Sequence, residues 1–409
     1  MNSRQLTLIL IVAVVLGAIG WVIFHRGERS WESQPASNDA KILEFPLNDV
    51  AHIVIKDGTG EVNLFRKADV WVVRERADYP ANFEQVSRFL QKIWNLKPVQ
   101  TLQVGPTQLA RFDLVEPAKD AKSTGTLLEL KNKDDKLIAG LLAGKQYMKE
   151  AAQSFGPTQY PAGRYIMPVN DSKRVALVSD PIQDLVTKPE RWLDRDFVKI
   201  VKPKSIALDG TAPGQKWKLL RENDSAQWKF ADAKPDEALD ESKASALANS
   251  VSALNFTDVG DPQTALEDPS TVTIETEDGF TYTLKIGQLK GETYPLKLTV
   301  EAIPLSASTP LPNEKPEEQK KREEEFAKKK KTLEEKLAKE KKFEGRPFLV
   351  NKFAVEQLLK NRADLIKTEP SPTPSAAPGK PLVSPPVRAL PPKPPAGKAT
   401  RTPARHGQP

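Results

Sequence analysis

Apolar positions along this chain recur in the same order twice, over residues 42–197 and again over 198–367. Each pass opens with a strand-like run, at 51–55 and 205–208. A second run follows, Val62-Asn63-Leu64-Phe65 against Trp217-Lys218-Leu219-Leu220. The third centres on tryptophan, Val70-Trp71-Val72-Val73 against Gln227-Trp228-Lys229-Phe230. Alternating or continuous apolar residues bounded by Gly, Asp and Asn predict strands. Each pass then turns helical. Asn82 is a predicted N-cap with Gln85 as its capping-box partner. Phe83, Val86, Leu90, Ile93 and Trp94 then fall on one face. In the second pass Asp240 is the cap, and Ala244, Leu247, Ala248, Val251 and Leu254 form the matching face.

After each helix comes a Leu-x-x-Pro step, Leu114-Val115-Glu116-Pro117 or Leu266-Glu267-Asp268-Pro269. Proline stops a helix and favours extended backbone before it. Strands are predicted again over 125–130 and 137–143, and over 271–276 and 280–286. Both second strands are expected to end at a glycine, Gly144 or Gly287. Each pass closes on a strand, from Arg164 to Met167 or from Arg346 to Leu349. A short helix is expected next, carrying Ile182 and Leu185 or Val355 and Leu358. The shared order makes duplication the reading. The predicted fold is α+β: two tandem related domains, each a largely antiparallel sheet with packed helices. Helices follow hairpin-like strand pairs rather than alternating strictly with strands, which argues against a doubly wound sheet.

Composition changes the picture at the ends and at one insertion. The chain has 409 residues and is 39% hydrophobic, and the deficit lies in a charged insertion and a proline-rich tail. Residues 1–5 form a short N-terminal segment, 6–24 an uncharged apolar run long enough to span a bilayer, and 25–41 a linker. The run is read as a transmembrane signal anchor; the alternative is a cleaved signal peptide with Ala18 and Gly20 before the cut. Long downstream domains translocate largely regardless of flanking charge, so the expected body is extracytoplasmic. The second repeat carries a Glu/Lys-rich insertion over 313–343, predicted as a solvated helix or helical hairpin. Coiled-coil pairing is the alternative, but no apolar heptad seam is sustained. From 368 to 409 the chain is basic and rich in Pro, and it cannot bury enough apolar surface to fold.

Net charge is +7, with the excess largely in those flexible parts, and no nucleic-acid signature accompanies it. There is no cysteine, which excludes disulfides, thiolate metal sites and cysteine nucleophiles. Gly140-Leu141-Leu142-Ala143-Gly144-Lys145 is one residue short of a phosphate loop and is followed by Gln146, so it reads as a strand-ending turn. Asp194-Arg195-Asp196 could serve acid/base work or a hard cation, but it also fits a polar junction with Trp192 and Leu193 packing inward. The histidines His25, His52 and His406 form no cluster for zinc or a catalytic triad. Trp71 and Trp228 read as matched core positions, while Trp94, Tyr147 and Tyr160 could offer an aromatic face to a glycan. No catalytic, cofactor-binding or metal-ligating residue is assigned, and no cofactor is expected.

The apolar anchor, the Phe-Pro-Leu-Asn-Asp-Val opening at 45–50, the tryptophan strand, the Leu-x-x-Pro step and the Trp-Leu-Asp-Arg-Asp junction at 192–196 together resemble an uncharacterised bacterial family. Its members are membrane-anchored proteins of unknown function with duplicated α+β units, often encoded beside gliding-motility-type ABC transporters. The likeness covers about residues 1–367 apart from the insertion, and the second half departs by lacking the junction tryptophan. The resemblance implies a transport- or envelope-associated accessory role at the bacterial inner membrane; the expected function is a non-enzymatic accessory or scaffold with an ABC transporter permease or auxiliary envelope subunit as partner. A cell-wall or polysaccharide-binding protein is the alternative, with the basic tail reaching peptidoglycan or anionic lipid. A carboxylate-dependent enzyme comes third.

Overall fold

The computed structural model describes residues 33–35, 41–118, 122–153, 156–235, 237–303 and 315–367. The expected span at 6–24 and the tail from 368 lie outside the described residues. Among those that are described, no helix is long and apolar enough to cross a membrane.

The first sheet contains β1 (Ser33–Pro35), β2 (His52–Lys56), β3 (Glu61–Lys67), β4 (Val70–Val73), β5 (Tyr79–Pro80), β6 (Pro98–Gln103), β7 (Thr126–Lys131), β8 (Leu137–Gln153), β9 (Gly156–Pro168) and β10 (Arg174–Val178). Their spatial order is β1-β6-β10-β9-β8-β7-β2-β3-β4-β5. The second sheet contains β11 (Pro203–Asp209), β12 (Lys216–Leu220), β13 (Lys229–Phe230), β14 (Asp258–Val259), β15 (Ser270–Thr276), β16 (Phe280–Ile286), β17 (Thr293–Ala302) and β18 (Phe348–Asn351). They run β13-β12-β11-β15-β16-β17-β18-β14. Read from the opposite end, and without the outermost β1 and β5, the first sheet has the same order. Every strand pair is antiparallel. The class is α+β.

Register makes the correspondence residue-specific. Ile53 faces Leu64 and Leu130; Ile206 faces Leu219 and Ile274. One strand outward, Leu64 faces Val73 and Leu219 faces Phe230. Trp71 and Trp228 precede those positions by the same interval, and both are buried. In the other direction Leu130 faces Ala139 and Ile274 faces Tyr282, which puts Gly144 and Gly287 at one equivalent position.

Helix α1 (Phe83–Trp94) buries Val86, Phe89, Leu90 and Ile93, and α2 (Glu241–Ser252) buries Ala244, Leu247, Ala248 and Val251. Asn82 Oδ1 accepts from the Gln85 backbone N–H, and Asp240 Oδ1 from those of Ser242 and Lys243, so both predicted caps satisfy otherwise orphaned donors. The insertion forms one helix, α3 (Pro316–Glu340), rather than a hairpin, and α4 (Lys352–Leu358) follows β18. The expected helix around Ile182 and Leu185 is instead a turn. Asp180 Oδ1 accepts from the Ile182 N–H, and Ile182 takes φ +48°, outside helical geometry.

One continuous apolar core runs through both sheets. At their seam Phe197 lies 4.8 Å from Phe348 and 5.2 Å from Phe256 between ring centroids, and Tyr79 reaches Phe256 edge-on at 5.8 Å. Such pairs add about 0.5–1.5 kcal/mol each beyond the area they bury. Arg76 of the first half grips Asp258 of the second through two nitrogens, at 2.6 and 2.7 Å, which raises the Arg76 pKa.

Candidate interaction site on a projecting arm

Strand β8 does not end at Gly144 as expected; it continues to Gln153. Its neighbour β7 stops pairing at Ala143, and β10 stops pairing with β9 at Arg164. Beyond those points β8 and β9 pair only with each other, from Gln146–Arg164 to Gln153–Gly156. Residues 146–153 therefore form one side of a two-stranded arm, about 25 Å long at about 3.3 Å per residue. The second sheet has no counterpart, because β16 ends at Ile286, just before the equivalent Gly287.

Two glycines set the root of the arm. A Cβ on Gly144 would lie 2.1 Å from the Phe112 carbonyl oxygen, and one on Gly163 would lie 2.3 Å from that of Val178. Only a residue without Cβ permits these approaches. The register shifts between Ala143 and Gln146 and again between Tyr147 and Met148, which twists and re-aims the arm.

Opposite residues of an antiparallel pair share a face. Tyr147 faces Gly163 and Lys149 faces Tyr160, so Tyr147, Lys149 and Tyr160 occupy one side, while Met148 and Pro161 occupy the other. Tyr147, Met148 and Tyr160 are 37%, 42% and 46% exposed, a high share for large apolar side chains. The stripe continues inward through Tyr165, whose ring lies 4.9 Å from Phe112 over a small separate cluster of Leu102, Leu114, Leu142, Met167 and Val175. Burial, with Tyr147 nearby, raises the Tyr165 pKa. The structure thus brings Tyr147 and Tyr160 together. Trp94 is elsewhere, at the end of α1, with the Lys41 ammonium over its ring.

The other sequence candidates have structural duties. Gly140–Lys145 lies within a strand and wraps nothing. Asp194 accepts from the Asp196 backbone N–H, Asp196 pairs with Lys339 at 2.5 Å, and Arg195 donates to the carbonyls of Phe256 and Glu190. The junction therefore ties the first half, the second half and α3 together. His52 is buried, stacked on Phe65, and hydrogen-bonded to Asp135 and Asn63. Among the described residues no group of three or more His, Asp or Glu is placed to hold a metal ion. The arm escaped sequence reading because its polar residues hide the strand period and glycine reads as a stop. The available signal was the alternation of Tyr147, Lys149 and Ala151 against Gly163, Tyr165 and Met167.

Fold and surface define an α+β protein of two like sheets on one core, with an exposed aromatic arm. Residues 71–272 match the family model of DUF4340, a domain of unknown function. The match begins in β4 and ends in β15, so it crosses the seam between the sheets. No curated protein and no solved structure matches the chain.

Proposed function

We propose that this chain is a non-enzymatic scaffold on the outer side of a bacterial inner membrane, held by the span at 6–24 and accessory to an ABC-type transport complex. The observation that carries the reading is the arm. An isolated two-stranded hairpin is marginal in water and gains stability when a third surface packs on it. This one exposes Tyr147, Met148 and Tyr160 together, residue types enriched at protein interfaces. Anchoring would confine the arm near the membrane plane and raise its effective concentration towards a membrane partner.

The test is a photo-crosslinking residue placed at Tyr147 or Tyr160 in intact cells, followed by gentle solubilisation. Adducts with a permease or an auxiliary envelope subunit are expected. Recovery of uncrosslinked monomer from both positions, with efficient crosslinking by a control protein, would sink the reading. A reporter fused at the C-terminus reads orientation, and activity of a cytoplasmic reporter alone would reverse it.

The shared face of Tyr147, Lys149 and Tyr160 also favours a second reading, a polysaccharide-binding envelope protein in which sugar rings stack on the tyrosines. Purified peptidoglycan would then retain the chain and release the Y147A/Y160A variant. Loss only on truncation after Lys367 would place binding in the tail.

A further inference from the structure

A cleft of about 560 Å³ opens beside α1, lined by Gln85, Arg88, Phe89 and Lys92 of that helix and by Asp184, Arg191 and Arg195. Lys92 is neutralised by Asp180 and Asp184. Among the described residues the three guanidinium groups make no ion pair closer than 4.0 Å. Arg88 faces Glu84 only at 4.0 Å and is mostly exposed. Arg195 spends two nitrogens on backbone carbonyls; burial lowers its pKa, the Asp258 and Glu190 carboxylates nearby raise it, and Arg191 lowers it further. Arg191 has no ion pair among the described residues.

The duplication supplies an internal control. Aligning the helix caps Asn82 and Asp240 puts Ala246 at the position of Arg88 and Ser250 at that of Lys92. The bridges Ala81–Leu193 and Leu239–Ile366 align the following segments, which puts Asp364 at the position of Arg191. There Asp364 closes a capping box with Asn361. The second half thus keeps the scaffold and replaces two cations by neutral residues and a third by an anion. The fold does not require these charges, and an excess of like charge in one cleft disfavours the compact state.

We infer that this cleft binds a phosphate-bearing anion, with Arg88 and Arg191 supplying the guanidinium forks and Arg195 adding positive charge at its edge. Guanidinium matches phosphate oxygens two at a time, and several forks suit a group with three or four oxygens better than a single carboxylate. The phosphate can come from a free ion or from a phospholipid headgroup.

The test is calorimetric titration of the full chain in detergent with inorganic phosphate, pyrophosphate and glycerophosphoglycerol, the last standing for a phosphodiester headgroup. Saturable binding by at least one is expected, weakened about tenfold or more in R88A/R191A, as loss of charge-assisted bonds requires. Both side chains are exposed, so the variant should melt with the parent in the absence of ligand. Preference for the diester assigns the headgroup as source, and preference for phosphate or pyrophosphate assigns a free anion. No binding by any of the three, or equal binding by the variant, overturns the inference.

Discussion

A methyl group at Gly144 has nowhere to go: backbone oxygen of Phe112 lies 2.1 Å away and the Leu114 side chain 2.9 Å away. Gly144→Ala should destabilise the chain by about 1–3 kcal/mol, as overpacking does, measured by urea denaturation. Gly105→Ala is the control. It has ordinary φ, −79°, and open space around it, so it should be neutral or stabilising by about 0.4–1 kcal/mol. Asp135 offers a pH test. The His52 hydrogen bond holds its carboxyl below the usual 3.8. A depressed folded value contributes stability that is present above 3.8 and lost as pH falls through the folded value. Asp135→Asn should therefore flatten the acid limb of thermal stability without altering it near neutrality beyond the lost bond, read by melting between about pH 5 and pH 2.

Helix α3 is rooted at one end. Leu333 and Leu337 pack against the core, Lys336 reaches Asp278 at 3.0 Å, and buried Glu340 accepts from the Tyr282 hydroxyl and the Lys199 N–H. Burial and the Glu340 carboxylate both push the Tyr282 pKa up. Glu340→Ala would strand that hydroxyl and that N–H, and should cost about 2–4 kcal/mol by denaturant unfolding. Lys329→Ala, at an exposed position of the same helix, should change the same measurement little. At this scale the sequence was informative where periodicity and capping chemistry were strong. Asn82, Asp240, the α2 face and Val86, Leu90 and Ile93 of α1 were readable, as were most matched strands; Phe83 and Trp94 are exposed instead, and 164–167 lies in β9, the counterpart of β17 rather than of β18. The arm was not, because pairing with a single partner leaves both faces wet and erases the apolar alternation. The turn at Ile182 was not either, because buried Ile182 and Leu185 stand at helical spacing while the aspartate at 180 directs the backbone elsewhere. The anion cleft was invisible for a different reason: its cations come from separated segments, and only folding brings them together.

The two sheets share one core, so the body should unfold as a single cooperative unit, with calorimetric and van't Hoff enthalpies that agree. Phe348→Ala, at a fully buried ring contacting Tyr79, Phe197, Phe256 and Phe343, should cost about 3–5 kcal/mol and lower that one transition rather than split it. Two transitions would mean that the seam is only a contact between independent units. The shared strand order was readable in the chain, yet the merging of the halves was not, since the aromatic residues that weld them look like ordinary core positions of either half. The rooting of α3 at that same seam, through Glu340 and the Lys339–Asp196 pair, has a mechanical consequence. From Lys336 to Pro316 the helix extends about 30 Å at about 1.5 Å per residue, so a sideways push on its N-terminal end acts as torque on the joint between the sheets.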